Sequence, residues 1–238
     1  MRSPFYGPEL AAIHQKKYEQ ISTRRAAALL ALLRRNGLPR GAVVDLACGP
    51  GGWARELTLH GYDVLGVDIS RAMIALARQR APRARFICGS MATTRLSSCD
   101  AVTVLGEGFN YLMRPRDVRR MFRRVHRALR DGGLLLFDTA EPLGKRKVSR
   151  EIVLRTKKVR VNVTVREDSL RRLMVRRMVI LSQTRQRARR SIEVHRQRTY
   201  RGAELAGWLR RAGFRARMLR GPRFVLSERH ALLLARKR

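Results

Sequence analysis

The segment Val43-Val44-Asp45-Leu46-Ala47-Cys48-Gly49-Pro50-Gly51-Gly52-Trp53, followed by Val64-Leu65-Gly66-Val67-Asp68-Ile69-Ser70, constrains the fold more than any other part of the chain. It predicts a β-branched buried strand ending at Asp45, a turn of small residues, a helix, and a second strand ending on Asp68. Small residues let a backbone approach a ligand, and the helix that follows points its free N–H groups toward it. In a parallel sheet both strands end at the same edge, so Asp68 is delivered to the crevice beside the turn, where a carboxylate can accept both hydroxyls of a ribose. The glycine spacing is neither Gly-x-Gly-x-x-Gly nor a phosphate loop closed by Gly-Lys-Ser/Thr, which excludes the two common phosphate readers.

The pattern extends over the chain. Met73, Ile74, Leu76 and Ala77 oppose Arg71, Arg78 and Arg80, a helical spacing that predicts a helix over 69–80. Short strands are expected at 84–89, 100–106 and 134–138, with a helix over 115–130 that has Pro115 in its first turn and Asp131-Gly132-Gly133 after it. A helix over 202–212 and strands near 215–219 and 231–235 complete the chain. Strands alternating with helices of this length predict a doubly wound α/β sheet.

The turn, with Ala47 in the place of a first glycine, resembles the acid-x-Gly-x-Gly-x-Gly signature of class I S-adenosylmethionine (SAM) methyltransferases. Asp131-Gly132-Gly133-Leu134-Leu135-Leu136-Phe137-Asp138 is similar to the turn into that superfamily's fifth strand. The blocks Tyr6-x-x-Glu9-Leu10-Ala11-x-Ile13-His14, Gly106-Glu107-Gly108-Phe109-Asn110-Tyr111-Leu112 and Glu193-Val194-His195-Arg196-Gln197-Arg198-x-Tyr200 resemble a group of small bacterial methyltransferases. The resemblance implies a Rossmann-like α/β fold, with a seven-stranded mostly parallel sheet, helices on both faces and an inserted antiparallel β-meander.

It also implies SAM as cofactor, held by Asp45, Ala47, Cys48, Gly49 and Gly51 from the turn and by Asp68, Ile69 and Met73 after the second strand. Ser90, Met91, Leu105 and Gly106 belong to later loops of the same site, and Tyr6 with His14 to an N-terminal lid. Many relatives carry Gly-Asp after the third strand, where the acid holds the adenine amino group. Gly89-Ser90-Met91 stands there instead, and a hydroxyl accepts a hydrogen bond more weakly than a carboxylate.

On this reading residues 1–40 form the lid and first helix, 41–144 the cofactor-binding core, 145–200 the inserted meander, and 201–238 the part that completes the sheet. In the insertion Val159, Val161, Val163 and Val165 alternate with polar residues, and Leu173–Val175, Met178–Leu181, Ile192 and Val194 follow, which predicts three or four antiparallel strands. The resemblance makes them, with the N-terminal helix, a roof over the crevice.

Methyl transfer from a sulfonium needs a positioned acceptor and, for some acceptors, removal of a proton. Glu107, just past the fourth strand, is a candidate to orient the acceptor or take its proton, and equally to contact the cofactor or a neighbouring loop. Asn110 and Tyr111 are candidate acceptor contacts or caps of the next helix. Glu193, His195, Gln197 and Thr199 share one strand face, which is either solvated or lines a site. A free histidine titrates near physiological pH, which makes His195 a second candidate base or a structural residue.

Charge leaves the acceptor open. The chain has 53 Lys plus Arg against 18 Asp plus Glu, a formal net charge of +35. Residues 113–238 carry 38 of those basic residues and only 10 of the acidic ones. Such a surface attracts polyanions whether or not one is a substrate. A small-molecule N or O acceptor is the first expectation, with a nucleic-acid methyltransferase and a non-catalytic SAM-binding protein as alternatives. The fourth-strand loop lacks the Asn/Asp-Pro-Pro-Tyr sequence that grips a flipped base. Three cysteines in no iron–sulfur spacing imply no metal, and the absence of a long apolar run or signal region makes the cytoplasm the default with no membrane partner.

Overall fold

The computed structural model describes residues 5–144, 147–156, 159–183, 188–221 and 227–238. Parts of the expected lid (1–4) and insertion (145–146, 157–158, 184–187) lie outside the described residues.

Helix α1 (Pro8–Arg35) leads into β1 (Gly41–Leu46), α2 (Gly52–Leu59), β2 (Tyr62–Asp68), α3 (Arg71–Arg80), β3 (Arg85–Cys88) and β4 (Cys99–Val104). A 3₁₀ turn (Gly108–Tyr111), α4 (Pro115–Ala128) and β5 (Leu129–Ala140) follow. Four long strands come next: β6 (Lys147–Arg155), β7 (Val159–Asp168), β8 (Leu173–Gln183) and β9 (Ala188–Arg198). Helix α5 (Gly202–Arg211), β10 (Phe214–Leu219) and β11 (His230–Lys237) close the chain.

The main sheet has seven strands in the order β10-β11-β5-β4-β1-β2-β3. β11 runs antiparallel to both its neighbours, while the pairs from β5 to β3 are parallel. The chain order reverses between β1 and β4, and a doubly wound sheet opens its crevice at that point. One face is covered by α1, α2 and α3 through Leu29, Leu33, Trp53, Leu57 and Ile74. The other is covered by α4 and α5 through Val118, Phe122, Val125, Leu205 and Leu209.

Helix α4 ends at Ala128, two residues short of the expected end. Leu129 is already extended (φ −71°, ψ 136°) and pairs with Cys99, and the register shift that follows is absorbed by Gly132 at φ +74°. β5 therefore begins before the glycine pair instead of after it.

The insertion is a four-stranded antiparallel sheet, β6-β7-β8-β9. The two apolar segments 173–175 and 178–181 are one continuous strand, β8. Edge strand β6 carried little signal, because no residue of it is fully buried and its apolar positions have no strict alternation to keep. The inner face of this sheet, with Val161, Val163, Val165, Met174, Met178 and Ile180, packs on Leu10 and Ile13 of α1.

Candidate functional site

A cavity of about 350 Å³ opens at the carboxyl ends of β1, β2 and β4. Its floor is the turn after β1. Ala47 and Gly49 both take left-handed backbone (φ +55° each), and a side chain at Gly49 would project into open space, so the glycine leaves room beside the cavity. Gly51, also left-handed at φ +76°, does not line the cavity. A Cβ there would lie 2.9 Å from the Ala77 backbone, so this glycine lets α2 pack on α3.

Asp68 reaches the cavity from the end of β2. One carboxylate oxygen accepts the Gly49 N–H at 2.9 Å and the other accepts the Ser70 N–H at 2.8 Å. Each oxygen keeps a lone pair for a further donor. Burial pushes the carboxyl up and the backbone N–H groups of Ser70, Gly49 and Ile69 pull it part of the way back. Asp45 is almost fully buried and accepts the Thr103 hydroxyl at 2.7 Å. Desolvation outweighs that bond and, with the Asp68 charge adding to it, lifts Asp45 to about 7. Burial also holds the Cys48 thiol well above its ordinary range, so it lines the wall as a neutral group.

Ile69, Met73, Ser90, Met91, Leu105 and Gly106 all line the same cavity. The Ser90 hydroxyl accepts the Ala92 N–H at 3.2 Å, and the loop after β3 is thereby fixed on its own backbone. Phe5, Tyr6 and His14 close the cavity from the N-terminal lid, and Tyr111 comes from the turn after β4.

The remaining expected residues stand behind that wall. Glu107 is not a lining residue. Its carboxylate accepts from His230 Nε2 at 2.8 Å and from the Arg176 guanidinium. Burial would raise this carboxyl, but the Arg176 charge and the His230 bond outweigh it and hold it at about 2, which makes it a poor proton acceptor near neutral pH. Asn110 is fully buried and its amide is consumed by structure: it donates to the Ala140 and Arg198 carbonyls and accepts the Ala140 N–H at 2.9 Å. It clamps β5 to the end of β9, and no part of it is left for an acceptor.

His195 also lies behind the lining, 1% exposed. Nδ1 is 2.7 Å from the Tyr111 hydroxyl and Nε2 is 3.0 Å from Glu193. The Tyr6 ring packs edge-on against it at 4.7 Å between centroids. The polar face of β9 is thus buried and used residue by residue. Glu193 accepts the Tyr6 and Gly7 N–H groups at 2.7 and 2.8 Å, His195 holds Tyr111, and Gln197 donates to the Glu107 carbonyl at 3.1 Å. Among the described residues the cavity has no lining side chain from the inserted sheet. The expected roof is the lid and the Tyr111 turn, and the meander braces both from outside.

Two groups that the sequence reading passed over complete the arrangement. Asp138, at the end of β5, accepts the Gly106 N–H at 3.0 Å, the Glu107 N–H at 2.8 Å and Arg25 of α1 at 3.0 Å. An acid closing the apolar run Leu134–Phe137 was its signal. Arg176 stands among Met174, Val175, Met178 and Val179, and a cation on the inner face of an otherwise apolar strand was the other.

Residues 43–133 match the family model described as a methyltransferase domain. The match runs from β1 into β5, the part of the chain that builds the cavity floor. Trans-aconitate 2-methyltransferase of Variovorax paradoxus is 46% identical over 82 residues, which is 33% of this chain and 30% of that protein. The chain spans half or less of the length of the curated relatives it matches. Likeness of fold is broader. The sugar N-methyltransferase KedS8 from Streptoalloteichus sp. superposes with a TM-score of 0.82 at 21% identity, over 98% of this chain and 96% of that one. An S-adenosylmethionine-dependent methyltransferase from Clostridium acetobutylicum gives 0.75 at 18%, over 90% and 91%. The matched segment includes the turn after β1, Asp68 and the fourth-strand loop, while the inserted sheet lies beyond it. No described helix is long and apolar enough to cross a membrane.

Proposed function

We propose that this protein is a SAM-dependent methyltransferase acting on a small-molecule N or O acceptor. The observation that carries the reading is the shape of the site. A cavity of about 350 Å³ has the Asp45–Gly49 turn and Asp68 at one side and Phe5, Tyr6 and Tyr111 at the other, and it falls in the range of pockets that engulf small ligands.

The residues fit the cofactor. Asp68 has a free lone pair on each oxygen for ribose hydroxyls, Gly49 leaves its side of the cradle open, and Ile69, Ser90 and Met91 offer an apolar slot with one hydroxyl for a base. The Asp45 and Asp68 carboxyls both line the cavity, and a cationic ligand there would favour their ionised forms. SAM, when bound, supplies a methyl group on a positively charged sulfur. The aromatic lid excludes water from the reacting end, and Tyr111 presents the hydroxyl that an acceptor would meet. Incubation with methyl-labelled SAM and a panel of amino sugars, amino acids and dicarboxylic acids tests this. Labelled product from at least one class is expected, and no transfer to any of them, with no SAM binding, would overturn it.

A nucleic-acid acceptor is the second reading, on one observation. Arg114 lines the cavity, and Arg116, Arg119, Arg120, Arg123 and Arg127 continue from it along the exposed side of α4. Phosphate contacts of this kind are sequence-blind and fade steeply with salt. Methyl incorporation into one RNA or DNA species that survives 200 mM salt would favour it over the small acceptor.

A further inference from the structure

Tyr111, His195 and Glu193 come from two separate parts of the chain and make one continuous hydrogen-bonded line that starts at the cavity wall. Tyr111, a lining residue, has its Oη 2.7 Å from His195 Nδ1, and His195 Nε2 is 3.0 Å from Glu193 Oε2. Glu193 is a carboxylate and accepts only. The Nε2 position therefore carries the hydrogen, which leaves Nδ1 as the acceptor and makes Tyr111 the donor to it. The Tyr111 oxygen then keeps a lone pair, and its other neighbour is the hydroxyl of Tyr6, a lining residue, at 3.4 Å.

We infer that Tyr111 is a catalytic residue that takes a proton from the methyl acceptor and passes its own to His195, with Glu193 as the positioning residue that fixes the imidazole. The inference rests on the proposed methyltransferase reading. In the balanced step the nucleophile of the acceptor forms its bond to the methyl carbon as the carbon–sulfur bond breaks with its electrons left on sulfur. The acceptor N–H or O–H bond breaks and its proton goes to Tyr111 Oη, while the phenolic proton goes to His195 Nδ1. Positive charge that arrived on sulfur ends on the imidazole beside the Glu193 carboxylate.

The groups facing this line suit that charge movement. Tyr6 of the lid sits against His195, with its hydroxyl 3.4 Å from that of Tyr111, and His14 packs on Tyr6. Arg176 of β8 is the cross-strand partner of His195, and its charge favours the ionised form of Tyr111. Glu107 pairs with Arg176 and with His230 of β11, so that the guanidinium does not stand alone opposite an imidazolium. Burial keeps the Tyr111 phenol itself well above its ordinary range, so it acts by relay and not as a standing phenolate. Glu193 also accepts two N–H groups of the lid region, those of Tyr6 and Gly7, so one carboxylate holds both the lid and the imidazole.

The line specifies the acceptor class. A nucleophile that must lose a proton, a primary or secondary amine or a hydroxyl, needs such a relay, whereas a carboxylate is already ionised at neutral pH and does not. Amine or hydroxyl acceptors are therefore expected from the panel above, and dicarboxylic acids are not.

Two measurements decide it. Nitrogen-15 NMR of the five histidines, with His195 assigned from the His195→Gln spectrum, reads the tautomer directly in the protein alone. A protonated Nε2 and a bare Nδ1 at pH 8 are expected, and a proton on Nδ1 overturns the relay. For any amine or hydroxyl acceptor that the wild type methylates, Tyr111→Phe should lower kcat by about 100-fold or more, the usual contribution of acid–base groups, with KM and SAM affinity little changed. His195→Gln, which can still bridge Tyr111 and Glu193, should lower kcat alike. Wild-type turnover of an amine or hydroxyl acceptor by Tyr111→Phe overturns the relay, and efficient methylation of a dicarboxylic acid by the wild type overturns the acceptor class it specifies. Failure of every acceptor with the wild type counts against the proposed function, and the tautomer still decides the relay.

Discussion

The methyl group of Ala47 fills the space that a side chain at position 108 would need: a Cβ on Gly108 would lie 2.7 Å from the Ala47 Cβ. The turn after β1 and the turn after β4 are thus matched to each other, one gaining a methyl where the other has none. Ala47 also holds φ +55°, a conformation that costs an ordinary residue about 1 kcal/mol or more.

Gly108→Ala should therefore destabilise the protein by about 1–3 kcal/mol, the range for overpacking a tight contact. Ala47→Gly in the same chain removes the clash. Denaturant unfolding of the two single variants and the double variant should give a double variant more stable than Gly108→Ala alone. Additive losses would show that the two turns are independent.

Arg25 and Asp138 form a buried pair at 3.0 Å, with side chains 10% and 0% exposed. Asp138 also holds the Gly106 and Glu107 amides. Breaking such a pair from one side leaves an uncompensated charge and costs about 3–5 kcal/mol. Asp138→Ala is expected to lose that much stability by urea unfolding, whereas Arg25→Met, which leaves the two amide bonds to Asp138, should lose less. Equal losses would remove the amides from the account.

Asp45 makes the stability pH-dependent in an unusual direction. Its carboxyl sits at about 7 when folded and near its ordinary value when unfolded, so between those values the folded state holds a proton that the unfolded state has released. Stability from this group is full below the unfolded value and is lost as pH rises through about 7. The melting temperature of the wild type should fall from pH 5 to pH 8 more steeply than that of Asp45→Asn. Parallel curves would contradict the burial argument.

Glu193 works in the opposite sense. Burial alone would raise its carboxyl, but the His195 bond and the Gly7 and Tyr6 N–H groups outweigh it and hold it below its usual range. Its hold on the lid is full above the unfolded value and is lost as pH falls through the lower folded one. Glu193→Gln should speed hydrogen exchange at Tyr6 and Gly7 at pH 7 and leave that of the β1 amides as in the wild type. Unchanged exchange at both would mean that something else anchors the lid.

The cavity wall around the turn after β1 was legible because each residue there is dictated by local backbone chemistry. The small residues of 47–52 and the acids at strand ends have few other uses in a doubly wound sheet, and all of the expected cofactor residues except Gly51 line the cavity. The groups behind the wall at Tyr111 were not, because they are set by partners distant in sequence. Asn110 reads as a loop polar residue until Arg198 and Ala140 consume its amide, and Glu107 reads as a base until Arg176 and His230 fix its charge. The alternating face of β9 was readable as a face. What each of its residues holds is decided by a lid about 190 positions earlier, as the separations of 187 and 186 between Glu193 and its two amide partners state.

The most direct test of the account is calorimetric titration of SAM into the wild type and Asp68→Ala. Asp68 offers two carboxylate oxygens already aligned by Gly49 and Ser70, and losing one partner of a charged hydrogen bond costs about 1.5–3 kcal/mol. The account predicts saturable binding by the wild type and an affinity lower by about 2 kcal/mol in a variant whose unfolding remains cooperative. Equal affinity in a folded Asp68→Ala, or no binding by the wild type, would contradict it.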